Sequence, residues 1–247
     1  MSREWSVFLD STTWIWLGGG LLVTIRVAAV VVAISLVTGT LLALVRLSRF
    51  AALRWMAIAY IDTIRSIPVF LIIMFTFFGL PGIGLEVSAA VSVTIALTIY
   101  ATALIAEIVR AGIVAVPKGQ VEASRTLGLG RVQTFCYVVF PQAMRMMVPP
   151  LVGQYIILIK HTSIGAVVGL DELLRRAVIL YNGFQNPAQA LLVVAVIYFV
   201  FLYPLSILSR KLELKDLRAA PSGANEFSLD RLKPVMAGAP VSPVPGR

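Results

Sequence analysis

The chain is 247 residues long, 59% hydrophobic and 13% charged, with mean hydropathy +0.91. That is too little polar surface to cover a water-soluble globule of this size, so lipid is the expected solvent. The net charge of +9 would suggest nucleic acid in a soluble protein, but cytoplasmic loops that collect Lys and Arg explain it more simply in a membrane protein. Cys136 is the single cysteine and His161 the single histidine, which leaves no intrachain disulfide, no cysteine zinc site and no paired-histidine metal site.

The first long apolar run is Gly18 to Val45, preceded by Trp5, Trp14 and Trp16, whose amphipathic rings suit the headgroup layer. With no basic lead-in and no small-residue cleavage pattern, it reads as a retained span. After the basic patch Arg46, Arg49 and Arg54, a second run extends from Trp55 to Leu80, with Asp62 and Arg65 placing the membrane proper from about Ser66. Pro81, Gly82 and Gly84 predict a short turn. The third run, Ser88 to Val109, closes at Arg110 and carries one carboxylate, Glu107.

Residues 111 to 146 form a loop of mixed character containing Lys118, Arg125, Arg131 and Arg145. The fourth run, Val148 to Leu170, is interrupted by Lys160, His161, Thr162 and Ser163. It is read as one span, kinked or partly unwound there, because Val148 to Ile159 alone supplies only about 18 Å of helix. A polar, turn-rich segment with Asp171, Glu172, Arg175, Arg176, Asn182, Gly183 and Asn186 follows. The fifth run, Ala188 to Leu208, ends at Arg210 and Lys211, and residues 219 to 247, rich in Pro, Ala, Gly and Ser, read as a disordered cytoplasmic tail.

Sorting the charges sets the orientation. With the amino terminus outside, Arg46, Arg49, Arg54, Arg65, Arg110, Lys118, Arg125, Arg131, Arg145 and the basic tail fall inside, leaving outside only the basic Arg3, Arg175 and Arg176, against acidic Glu4, Asp10, Glu86, Asp171 and Glu172. That bias holds only for an odd number of crossings. The expectation is an all-α polytopic membrane protein with five transmembrane helices over residues 1 to 218, N out and C in.

Within the loop, Gly119 to Leu127 predicts a short helix, Gly128 a left-handed stop, and Arg131 to Phe140 a second helix with Val132, Phe135 and Val139 near one face, ended by Pro141. Such a pair lies on the inner leaflet as an interfacial helix or docks on another protein; the pattern alone leaves both open.

Glu122, Ala123, Ser124, three residues, Gly128, nine residues, then Val138, Val139, Phe140 and Pro141 resemble the EAA loop of ABC importer permeases, with Ser124, Val138 and Phe140 as mild departures. Lys118, Gly119 and Gln120 before it, and Pro141, Gln142 and Ala143 after it, resemble the frame of this loop in the polar amino acid (histidine/glutamine/glutamate) type. Arg65 to Pro68 resembles that family's entry into the second span, Ala106 to Arg110 its close to the third, and Lys160 to Ser163 its KDTS, with His161 where aspartate is usual.

The resemblance implies a type I importer permease of the bacterial inner membrane that moves a polar amino acid and does no chemistry. A cytoplasmic ABC ATPase dimer would hold the ATP, and this chain, which has no GxxxxGK[ST], would bind no cofactor. Gly119, Gln120, Glu122, Ala123, Ser124, Gly128, Val138 and Pro141 would form the coupling segment: Glu122 pairing with a basic group of the ATPase or fixing the loop, Gly128 allowing the bend, Pro141 ending the second helix. The further partners implied are an extracytoplasmic amino acid-binding protein and, because five spans are few for a pathway, a second permease subunit, identical or similar.

Ionisable residues within a span face protein or a wet cavity. Lys160, His161, Thr162 and Ser163 are the first choice for lining the substrate path; alternatively Lys160 pairs with Glu107 or caps carbonyls at a helix break. Arg26 and Glu107 are further path candidates, with snorkelling to the headgroups and a structural pair with Arg110 as their respective alternatives. Arg26 and Lys160 against Glu107 alone slightly favour an acidic or neutral polar substrate.

Overall fold

The computed structural model describes residues 5–219 of the 247, and among them regular structure is helical, with no strand. Of the expected disordered tail, 219–247, only Ala219 is described, at the end of a helix; 220–247 lie outside the described residues.

After a short turn at Ser6–Leu9, helix α1 spans Ser11–Arg46. Asp10 caps it, accepting the Thr12 hydroxyl at 2.5 Å and the Thr12 N–H at 3.0 Å. Those two bonds, the hydroxyl's above all, hold the Asp10 carboxyl below its ordinary pKa. With 36 residues, α1 is about 54 Å long and overreaches the roughly 30 Å hydrocarbon core.

The second apolar run is not one straight helix. It divides into α2 (Ala51–Ser66) and α3 (Val69–Gly82), bent by 101°. Pro68 explains the break: its ring pushes the preceding residue out of the helical region, and Ile67 takes φ −92°, ψ 128°. At 14 residues α3 is about 21 Å long, so the pair makes one broken crossing at most. Pro81 and Gly82, expected in a turn, still belong to the last turn of α3.

Helix α4 spans Ala89–Val114, with Ser88 as N-cap. The loop follows as α5 (Lys118–Thr126) and α6 (Arg131–Thr134), and a π-helical turn, Phe135–Val139, leads directly into α7 (Phe140–His161). Pro141 therefore does not end the second loop helix. It sits in the first turn of α7, where a missing N–H costs least, and the wider π turn absorbs the mismatch before it.

A 3-10 stretch, Thr162–Val168, continues α7, so the kink expected near Lys160 is a change of helical pitch. The polar segment read as turn-rich contains α8 (Leu173–Phe184), whose Leu173, Ala177 and Leu180 are buried at helical spacing. Helix α9, Pro187–Ala219, completes the described chain. Among the described residues four stretches are long and apolar enough to cross a membrane, five if the bent pair counts as one broken span.

The tightest packing joins α1 to α4. A Cβ at Gly39 would stand 2.8 Å from Ile105 Cβ, so only glycine permits this approach, and the Thr38 and Thr102 hydroxyls bond across it at 2.7 Å. Val31, Ile61, Ile73, Val93, Leu97, Ile105 and Leu158 fill the core. Helices α1, α4 and α9 run one way and α7 the other, as Glu107 beside Arg46 and Ser209 bonded to the Pro149 carbonyl require. Exposed Val30, Val37 and Leu41 of α1, and Val196, Phe199 and Val200 of α9, present an apolar outer surface suited to lipid.

Candidate functional site

The loop between α4 and α7 is a bent helix pair tied at its centre. α5 ends at Gly128, whose φ of +84° suits glycine; there the Gly128 N–H bonds the Arg125 carbonyl at 2.9 Å and the Leu129 N–H that of Ser124 at 3.1 Å. The next helix starts with the Gln133 side chain accepting the Gly130 N–H at 2.9 Å. Ser124 is buried at the elbow, donating to the Val121 carbonyl at 2.8 Å with its Oγ 3.1 Å from the Thr134 hydroxyl. Serine at this position therefore links the two helices through a bond that alanine could not make.

The other loop residues look outward. Gly119, Gln120, Glu122 and Ala123 are exposed, and among the described residues the Glu122 carboxylate has no hydrogen bond or ion pair. Leu127 is 83% and Val132 76% exposed, so the pair also presents apolar side chains to the surroundings. Val138 is half-buried, its carbonyl accepting from Gln142, and Pro141 is exposed. Of the face expected on the second helix only Val139 is buried; Val132 and Phe135 remain exposed.

Within the bundle the four polar residues at the end of α7 divide. Consecutive helical positions turn by about 100°. Lys160 and Ser163 line a groove of about 600 Å³ whose other wall is α9, with Tyr198, Tyr203, Ser206 and Arg210. His161 turns towards α4, its ring 5.6 Å from that of Tyr100 and its Nδ1 buried without a partner. Thr162 is buried and donates to the Ile159 carbonyl at 2.8 Å, while Ser163 donates to that of Lys160 at 2.7 Å.

Glu107 and Arg26 stand apart from this groove. Arg26 is exposed on α1. Glu107 gathers three guanidinium groups where the carboxyl ends of α1, α2 and α4 meet: Arg46, Arg110 at 2.9 Å and Arg65 at 3.7 Å. It is not paired with Lys160; the alternative that set it against Arg110 describes its place.

A family model described as "Binding-protein-dependent transport system inner membrane component" matches residues 35–215, from the middle of α1 into α9. This chain belongs to that family. It is a multi-pass permease component of the inner membrane, the transport subunit and not the catalytic one. The permease is 39% identical over 80% of its length to "Probable glutamine ABC transporter permease protein GlnP" of Bacillus subtilis, covering 92% of that protein. It is 35% identical over 91% of its length to the glutamate transport system permease protein GluD of Corynebacterium glutamicum, covering 83% of it. Among solved structures, a chain from a crystal structure of an amino acid ABC transporter with histidines shares 32% identity and a TM-score of 0.77, over 81% of the permease and 94% of that chain.

One polar centre of the permease escapes the sequence reading. Glu172, counted among outer charges, is fully buried where the start of α8 meets α1 and α9. Arg176, also counted as outer, donates to the Trp16 carbonyl at 2.7 Å and lies over the Trp16 ring at 4.4 Å. The available signal was Leu173, Ala177 and Leu180, an amphipathic helix whose N-cap falls on Glu172.

Proposed function

We propose that this permease imports a polar amino acid, driven by an ABC ATPase dimer that grips the loop between α4 and α7. The observation that carries this reading is the construction of the loop. The Ser124–Thr134 link and the Gly128 turn hold the helix pair as a bent unit, while Glu122, Leu127 and Val132 are left free on its surface. Because α6 runs through the π turn into α7, a displacement of the loop moves a membrane helix directly, as alternating access requires.

The substrate assignment draws on the relatives that are glutamine and glutamate permeases, and on Lys160, whose ammonium can meet a carboxylate in the groove against α9. Neutral and acidic polar amino acids suit that site better than arginine or lysine. The amino terminus lies outside and the loop inside, a second permease subunit completes the pathway, and a binding protein delivers substrate from the outer face. ATP stays on the ATPase, and this chain binds no cofactor.

The test uses the complete transporter in proteoliposomes, measuring amino acid uptake and ATP hydrolysis together. Glu122→Lys and Gly128→Pro are expected to cut uptake at least tenfold while the permease remains inserted and ATPase activity no longer responds to substrate-loaded binding protein. Normal coupled uptake in both variants would refute the coupling role.

A further inference from the structure

Glu172 is fully buried between helices, and among the described residues it has no ion pair. A carboxylate taken out of water is costly unless other groups replace its hydration. One oxygen is served locally: Oε1 accepts the Arg175 N–H at 2.8 Å, so Glu172 caps α8 at its positive end. A cap needs no more than that. The second oxygen, Oε2, instead accepts the Tyr198 hydroxyl at 3.2 Å from α9, 26 residues away.

Tyr198 is also a wall of the groove that holds Lys160 and Ser163. Thr24 of α1 donates to the Gly20 carbonyl at 3.2 Å, and the Leu173 N–H approaches its Oγ1 at 3.5 Å. These bonds join α1, the start of α8 and α9, and of the three side chains Thr24, Glu172 and Tyr198 it is Tyr198 that lines the groove.

We propose that Glu172 is a positioning residue for transport: through its second carboxylate oxygen it holds the Tyr198 phenol in place along the groove occupied by Lys160 and Ser163. The external helix α8, anchored by the same carboxylate, is thereby connected to the groove wall. This rests on the groove being the substrate passage.

The experiment is a double-mutant cycle on the complete transporter, with radiolabelled L-glutamine and L-glutamate as probes and the thermal midpoint of each variant measured alongside. Glu172→Ala and Tyr198→Phe are each expected to lower uptake about tenfold, the loss of one hydrogen bond to a charged group, and the double variant no further. Glu172→Gln, which keeps an acceptor for the Arg175 N–H and a polar group facing the phenol, is expected to recover uptake to within about twofold of wild type. Fold losses that multiply in the double variant, or a Tyr198→Phe variant with full uptake, overturn the proposal and leave Glu172 a helix cap alone. Lys160→Met separates the two ideas. If it and Tyr198→Phe both leave uptake unchanged, the passage reading fails and the proposal with it; if it impairs uptake while the Glu172 and Tyr198 losses multiply, only the positioning role fails.

Discussion

Two carboxylates inside the same bundle are kept by opposite means. Glu107, towards the carboxyl end of α4 with its side chain 19% exposed, is surrounded by Arg46, Arg110 and Arg65, a local excess of positive charge. Glu172, with no exposure, has no ion pair among the described residues and relies on a helix N-terminus and the Tyr198 hydroxyl. Partly exposed guanidinium groups keep some of their hydration, so an ionic cluster is tolerable there, whereas at a fully buried site a second charge would add its own desolvation cost. Here burial, more than residue type, decides which partners each carboxylate has.

The difference can be broken most forcefully at the ionic end. Glu107→Ala leaves three guanidinium groups facing one another, and the purified permease is expected to lose about 3 kcal/mol of stability, read as a lowered thermal midpoint. Because repulsion between partly exposed charges is screened, that loss should shrink as salt rises from 0.05 to about 0.5 M, while any loss in Glu172→Ala should stay constant. Equal salt responses would erase the distinction. The smallest effect belongs to Arg65→Ala: with 47% of its side chain exposed and 3.7 Å from Glu107, Arg65 should contribute no more than about 0.5 kcal/mol.

The same contrast explains what the sequence disclosed. Apolar runs bounded by arginines mark the spans because lipid imposes length and hydropathy locally, and the motif from Glu122 to Pro141 marked the loop. Pro141 misled because its effect depends on position: in a helix interior it breaks, but after the π turn it begins α7. Ile67 before Pro68 carried a legible break inside the second run, and its 101° size came from packing. Residues 160 to 163 were correctly singled out as polar. Their division, with Lys160 and Ser163 on the groove and His161 and Thr162 turned inward, depends on helical phase against α4 and α9. Glu172 stayed hidden because a carboxylate beside two arginines looks like a solvated loop until α8 is seen folded back against α1.

The most direct test of the account asks what the loop touches. Cys136 is exposed and would be replaced by serine first, so that Ala123→Cys carries the only thiol. Crosslinking of the assembled transporter from that thiol is predicted to join the permease to its ATPase subunit, with a yield that changes between the nucleotide-free and ATP-bound states. A transporter that takes up amino acid at the wild-type rate, yet gives no crosslink to the ATPase in either state, would contradict the claim that this loop is where ATP-driven motion enters the membrane.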